Sequence, residues 1–74
     1  MARINLKKLE KIDKDRYSIH SVVDATYTII EYGEEKFLQI DTYGSKTRKH
    51  PNQPSQSIQI DVETANYLLK LLVV

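Results

Sequence analysis

The stretch "SIQIDVETANYLLKLL", residues 57–72, joins a strand to a helix with no loop between them, and the rest of the fold can be predicted around it. Ile58 and Ile60 alternate with polar residues, which is typical of a strand with one buried side. Asp61 is a good helix N-cap. Apolar residues then recur at helical spacing, at Ala65, Leu68, Leu69 and Leu72. The stretch predicts a short strand followed at once by an amphipathic helix.

The predicted helix is apolar on more than one side. A single sheet face cannot cover this much apolar surface, and large exposed apolar patches usually mark interfaces. We therefore expect the helix to pair two copies of the chain in a homodimer; the alternative is a frayed apolar tail. The predicted interface residues are Tyr67, Leu71, Val73 and Val74.

Upstream, three segments show the alternation of apolar and polar residues that is typical of strands. The first two lie at residues 17–20 and 23–29, and the third is "KFLQIDTY" at 36–43. "EYGEEK", residues 31–36, has one glycine among charged residues and predicts a hairpin loop. Residues 44–57 contain a glycine and both prolines and are predicted to form a long loop.

The predicted fold class is α+β, with a four-stranded antiparallel β-sheet followed by a C-terminal α-helix packed on one face. Residues 17–74 are predicted to form this single domain, and residues 1–16 a preceding arm or short helix. One helix covers only one face of a sheet. The other face is predicted to be open, with aromatic rings set among hydrogen-bonding groups. These rings are Phe37, Tyr43 and Tyr32.

Composition limits the classes of function. The 74 residues include 11 basic and 10 acidic side chains, so nucleic-acid binding would need a local basic patch. There is no cysteine, which excludes disulfides and thiolate metal sites. No apolar run approaches the ~20 residues of a membrane span, and the first residues lack the apolar core of a signal peptide. We expect a cytoplasmic protein that compensates for its small size by forming oligomers.

A basic segment follows the third predicted strand. After Gly44 come Lys46, Arg48, Lys49 and His50, and Pro51 ends the run. These side chains either contact phosphates as a flexible arm or form a solvated loop whose charges balance acids elsewhere. Four phosphate contacts would give a strong salt dependence, with a log-log slope of about −0.7 per phosphate on single strands.

Together, "KFLQIDTYGS", the basic segment and "SIQIDVETANYLLKLL" resemble the single-stranded-DNA-binding domain of the positive cofactor four family of transcriptional coactivators and its small bacterial relatives. In that family a strand of the type I-[DK]-I-R-x-[WY] precedes a loop, a G-I-[ST]-L strand and a capped helix ending in a Leu-Lys-rich stretch. The order of elements matches over residues 17–73, and motif similarity covers residues 36–72. The matching residues are Ile40, Thr42, Tyr43, Ile58, Ile60, Asp61, Leu68, Leu69 and Lys70.

The resemblance implies a homodimer that holds single-stranded nucleic acid along open sheet faces and acts in transcription regulation. Aromatic stacking is worth ~1–3 kcal/mol per base, and basic side chains follow the backbone. The expected nucleic-acid contacts are Lys36, Phe37, Tyr43, Lys46, Arg48 and Lys49. Two departures weaken this expectation: Asp41 replaces the arginine of the family, and Gln56-Ser57 replaces its basic-glycine pair.

No motif indicates an enzyme. His20 and His50 lack metal-ligand spacing, no nucleophile elbow or phosphate loop is present, and we expect neither a metal nor a cofactor. The near-neutral charge, Asp41 and the polar tract "NQPSQS" favour another class, a protein-interaction module such as a small phage-type or defence-related inhibitor. A third hypothesis is a dimerisation domain that only assembles something larger.

Overall fold

We describe residues 1–44 and 53–73 of a computed structural model. Within these ranges the chain forms four strands, one short 3-10 helix and one α-helix, which confirms the α+β class and the C-terminal helix. The elements in chain order are β1 (Ala2–Ile4), the 3-10 helix (Leu6–Lys8), β2 (Ala25–Tyr32), β3 (Glu35–Thr42), β4 (Gln56–Asp61) and α1 (Val62–Leu72).

Strands β2 and β3 form the predicted hairpin. Tyr32 lies opposite Glu35, so the loop contains only residues 33 and 34. Gly33 has a φ of 65°, in the left-handed region that a glycine adopts without steric cost. The tight turn fixes the register of all eight residue pairs between the two strands.

The sheet is mixed rather than fully antiparallel as predicted. Its order is β1-β4-β3-β2, with β1 parallel to β4 and the other pairs antiparallel. Ile4 lies beside Ile60, where its half-buried side chain extends the apolar row of β4. The N-terminal residues, predicted to be an arm or short helix, therefore supply the fourth strand.

The strand predicted at residues 17–20 is wrong. These residues form no strand and are exposed. The carbonyl of Asp24 accepts a hydrogen bond from the Tyr43 N–H at 3.0 Å, which fixes Asp24 in the β2–β3 ladder. Only residues 21–23 then remain for a turn back onto β2. Two of them are β-branched valines, which are poor turn residues.

Helix α1 starts directly after β4. Asp61 caps it, since its side-chain carboxylate accepts a hydrogen bond from the Thr64 N–H at 2.8 Å. The helix contacts the sheet face that carries Ile29, Leu38 and Ile60, which are neighbours in register and line a shallow groove with the helical residue Ala65. We call this face, with its alternate residues Ile4, Tyr27, Ile29, Leu38, Ile40, Ile58 and Ile60, the apolar face.

The helix covers the apolar face only in part. Tyr27, Ile40 and Ile58 form a row across three strands, and all three remain exposed. Among the described residues, the one apolar side chain in the buried class is Phe37, at 7% exposure. Within the described residues, no helix combines the length and the apolar character needed to cross a membrane.

Candidate binding surface

The opposite side of the sheet is a polar face, built by the alternate residues of all four strands. Register places Arg3, Gln59, Gln39 and Thr28 in one row across the sheet. A second row contains Ser57, Asp41 and Thr26. Because successive side chains of a strand point to opposite faces, this surface lies on the side away from the helix. We define the polar face by these seven residues together with Tyr43.

Side-chain hydrogen bonds cross the polar face from β4 to β3. Gln59 Nε2 donates to Gln39 Oε1 at 2.8 Å, and Gln39 Nε2 donates to Asp41 Oδ1 at 2.9 Å. Ser57 Oγ also donates to Asp41 Oδ1. The network therefore ends on the carboxylate, which accepts from two strands. Its members are buried or half-buried, so the hydrogen bonds fix their orientation in a partly desolvated surface.

The hydrogen-bond network accounts for Asp41, an acidic residue within the surface that the sequence predicts to bind nucleic acid. Asp41 has neighbours that donate to both of its oxygens, since Gln39 Nε2 also lies 3.2 Å from Oδ2. Ser57, which replaces the glycine of the resembling family, is one of the donors. The two departures from the family pattern are thus in contact with each other. Ser57 donates a hydrogen bond to Asp41, so both residues have a structural role in this sheet.

Phe37 is covered, which differs from its predicted role as a stacking ring. The Arg3 guanidinium lies 5.3 Å from the ring centroid, a cation–π distance. Phe37 also has Asp61 and Ile30 as register neighbours. A nucleic-acid base would have to displace Arg3 to reach the ring. The Phe37 ring is therefore a buried core residue, and the guanidinium of Arg3 lies over it.

Tyr43 lies at the end of the polar face. Its hydroxyl and Thr26 Oγ1 are 3.1 Å apart, and its side chain is half-buried. The predicted contacts Lys46, Arg48 and Lys49 lie outside the described residues, but they follow Tyr43 closely in sequence. Lys36 lies opposite Glu31, and strand alternation puts it on the other side of the sheet from Phe37. The structure therefore does not bring Lys36 and Tyr43 together on one face.

A second small cluster ties the N-terminus to the helix start. Asn5 caps the 3-10 helix through a 2.8 Å bond from the Lys7 N–H, and its Nδ2 donates to Asp61 Oδ2 at 3.4 Å. The Thr64 side chain and then its backbone N–H hold the pKa of the Asp61 carboxyl below its ordinary value. The Thr64 hydroxyl is fully buried and, within the described residues, makes no hydrogen bond of ordinary geometry, so it acts on Asp61 as a nearby dipole.

The helix residues predicted to form a dimer interface remain available. Tyr67, Leu71 and Val73 are all exposed, while Val74 lies outside the described residues. No group of three or more His, Cys, Asp or Glu side chains that could hold a metal occurs in the part of the chain that the structure describes.

Sequence reasoning missed Arg3 as a surface residue because it assigned the first 16 residues to an arm. The pattern Ala2–Ile4 is too short to show strand alternation, so nothing in the sequence signalled its pairing with β4. Strand alternation places Gln39 and Gln59 on the face opposite the isoleucines, but their pairing follows only from the register of β3 with β4.

Comparison of the chain with protein-family models, curated proteins and solved structures gave no match.

Proposed function

We infer that this chain is a small non-enzymatic binding module whose polar face docks a protein partner. The hydrogen-bonded network of Gln59, Gln39, Asp41 and Ser57 is the observation that carries this proposal. It supplies a prearranged surface of amide and hydroxyl groups, and little side-chain freedom is lost when such a surface binds. Protein interfaces typically contain about ten direct hydrogen bonds, and charged residues are depleted at their centre.

The charge of the polar face favours a protein over a polyanion. Among the described residues it contains one cation, Arg3, and the carboxylate of Asp41. Arg3 stacks on Phe37, and arginine and exposed tyrosine are residue types enriched at protein interfaces. Tyr32 has the same strand parity as Thr28 and is exposed near this surface. A polyanion would meet a carboxylate at the centre of the face.

Photo-crosslinking from the polar face tests the proposal. A photoreactive phenylalanine analogue at Tyr32, which is exposed and has the strand parity of the polar face, should yield one discrete adduct with a protein in nuclease-treated lysate of the native host. Excess unlabelled wild-type chain should suppress the adduct, while excess Gln39→Arg chain should not. The same analogue at Lys36, on the opposite side of the sheet, is the matched control. An adduct that disappears with nuclease, or forms equally from Lys36, would contradict the proposal.

Single-stranded nucleic acid is a second candidate ligand, and the position of Tyr43 favours it. Its ring lies where the polar face ends, a few residues before Lys46, Arg48 and Lys49. Aromatic and basic side chains are the residue types that bind single strands without sequence preference. Such a site would also fit a role in transcription regulation.

A fluorescent oligothymidine titrated at low and high salt separates the two candidates. Nucleic-acid binding requires an anisotropy increase at low salt that falls with salt, and a large loss of affinity in Tyr43→Ala. Lys36→Ala is the matched control, because Lys36 lies on the opposite side of the sheet. No binding at low salt would eliminate the second candidate and leave the first standing.

A further inference from the structure

The outer edge of β2 is an unpaired strand edge. Within the described residues, β2 is the last strand of the sheet and has β3 as its one neighbour. The hydrogen bond between Asp24 and Tyr43 sets the alternation of the ladder, so even-numbered residues bond to β3. The N–H and C=O groups of Ala25, Tyr27, Ile29 and Glu31 therefore point away from the sheet.

This edge lacks the usual protection against pairing with another chain. Natural edge strands are kept short, or carry prolines, lysines or bulges. Strand β2 has eight residues, with no proline or lysine, and its register with β3 is continuous. Tyr27, whose backbone groups face the open side, is 73% exposed.

Residues 17–23 have the sequence of a strand but pair with no strand in the described part of the chain. Tyr17 and Ile19 alternate with Ser18 and His20, and Ile19 is 90% exposed. The segment runs straight into β2 and cannot turn back onto it, for the reason given above. If it continues the line of β2, its odd-numbered residues fall on the apolar face with Tyr27.

Residues 10–24 are all exposed, and a stable interface buries about 800 Å² on each partner. Pairing residues 17–23 with a strand edge would cover part of this exposed segment.

We propose that a second copy of this chain pairs with the β2 edge, each copy laying residues 17–23 antiparallel along β2 of the other. The two sheets join into one, and the contact is two-fold symmetric and self-complementary. It is independent of the ligand proposed above. It also uses a different surface from the helix pairing expected from the sequence.

The side chains select one register, with Val23 opposite its own copy at the two-fold axis. Tyr17 then lies opposite Ile29, and Ile19 opposite Tyr27. Both are aromatic and β-branched pairs, which stabilise sheets. Shifting each strand by one residue to centre the axis on Asp24 would put two carboxylates opposite each other, which is unfavourable.

Proline substitution tests the pairing through the backbone. Ile19→Pro removes an N–H that bonds to the other copy. The N–H of His20 points to the opposite side of the strand, towards β3, and β3 does not extend as far as position 20. Both positions are exposed and outside every strand of the described chain, so neither change affects its fold. Sedimentation equilibrium should find a wild-type dimer and a dimer dissociation constant raised roughly 30-fold in Ile19→Pro, since two symmetric bonds are lost.

His20→Pro should dimerise like the wild type, and so should Leu71→Ser, which alters the exposed helix face. The proposal is overturned by a wild-type chain that is monomeric throughout the micromolar range. It is equally overturned if Ile19→Pro dimerises normally while Leu71→Ser does not, because the helices would then form the interface.

A cysteine pair tests the register. The chain has no cysteine, so each introduced thiol is the only one present. Residues opposite each other in a hydrogen-bonded pair have Cα atoms about 5.5 Å apart, within disulfide range. Val23→Cys should therefore form a crosslinked dimer on mild oxidation. Val22→Cys should not, because its copy lies diagonally at about 7–8 Å. Efficient crosslinking of Val22→Cys but not Val23→Cys would exclude this register.

Discussion

The two faces of the sheet differ in how completely their side chains find partners within the same chain. On the polar face, Gln59, Gln39 and Ser57 are hydrogen-bonded in a network that ends on Asp41. On the apolar face, Tyr27 and its row neighbours remain in contact with solvent beside a short helix. A satisfied polar surface needs no partner to fold, whereas an exposed apolar surface is stabilised by one. This difference supports the proposals that the polar face binds a partner and that the edge beside the apolar face pairs with a second copy.

The largest expected effect on stability is at Phe37, the buried residue of the strand that also carries Gln39 and Asp41 of the polar face. Phe37→Ala should lower the free energy of unfolding by about 3–5 kcal/mol, because it removes a buried ring and leaves a cavity. That is much of the stability of a chain of this size, about 4–11 kcal/mol. Urea unfolding followed by circular dichroism, at one fixed protein concentration, measures it.

Tyr32→Ala is the control for this change, because Tyr32 is an exposed aromatic residue on the same hairpin. Its effect should stay within about 0.5 kcal/mol. Equal losses of stability for the two variants would mean that Phe37 is no more buried in solution than Tyr32. Phe37 would then not stabilise the strand that carries the polar face.

Asp41 comes next. Asp41→Ala should cost about 1–3 kcal/mol, because it leaves the Ser57 hydroxyl and the Gln39 amide without an acceptor in a half-buried place. Asp41→Asn keeps an acceptor oxygen and should cost less. Urea unfolding measures both. If Asp41→Ala unfolds like the wild type, the hydrogen-bond network is not formed in solution. The side chains of the polar face would then have no more partners within the chain than those of the apolar face.

The elements with local signals were predictable from sequence. The glycine among charges located the β2–β3 hairpin, and the cap at Asp61 with its following apolar spacing located the helix. The polar character of the open face also followed from alternation. These features depend on residues close together in the chain, where propensity and periodicity are informative.

The rest depended on long-range pairing. Strand β1 has three residues and pairs with β4, more than 50 positions away, so no local pattern marks it. Residues 17–20 carry a strand pattern, yet the position of Asp24 in the ladder prevents them from folding back onto β2, and they pair with no other strand of residues 1–44 and 53–73. The cover over Phe37 likewise comes from Arg3, a residue brought there by β1. Alternation thus predicted the faces of the sheet but not its order.

A smaller effect is expected at Gly33, which sets the register that defines both faces. Gly33→Ala should cost about 1–2 kcal/mol through backbone strain alone, since φ is 65° and no atom lies within 4 Å of an added Cβ. Gly33→Asn is the matched control and should cost less, because asparagine tolerates the left-handed region. Thermal unfolding measures both. Equal midpoints for Ala, Asn and wild type would place the turn in another conformation.

The smallest effect is expected in the pH dependence at Asp61, where the helix joins the sheet. Its pKa is lower in the folded chain than its ordinary value of 3.8, mainly through the Thr64 side chain and then the Thr64 N–H. The deprotonated cap therefore contributes stability above about pH 3.8, and this contribution disappears as pH falls through the folded pKa. Urea midpoints measured from pH 6 down to about pH 2 should fall along this course.

Asp61→Asn separates the charge from the cap. Asparagine also caps helices, so the variant should fold at neutral pH but lose the part of the acid dependence that comes from Asp61. Thr64→Val removes the hydroxyl dipole and should raise the pKa of Asp61, which moves the onset of the loss to higher pH. If Asp61→Asn keeps the full wild-type pH profile, another carboxylate controls acid unfolding.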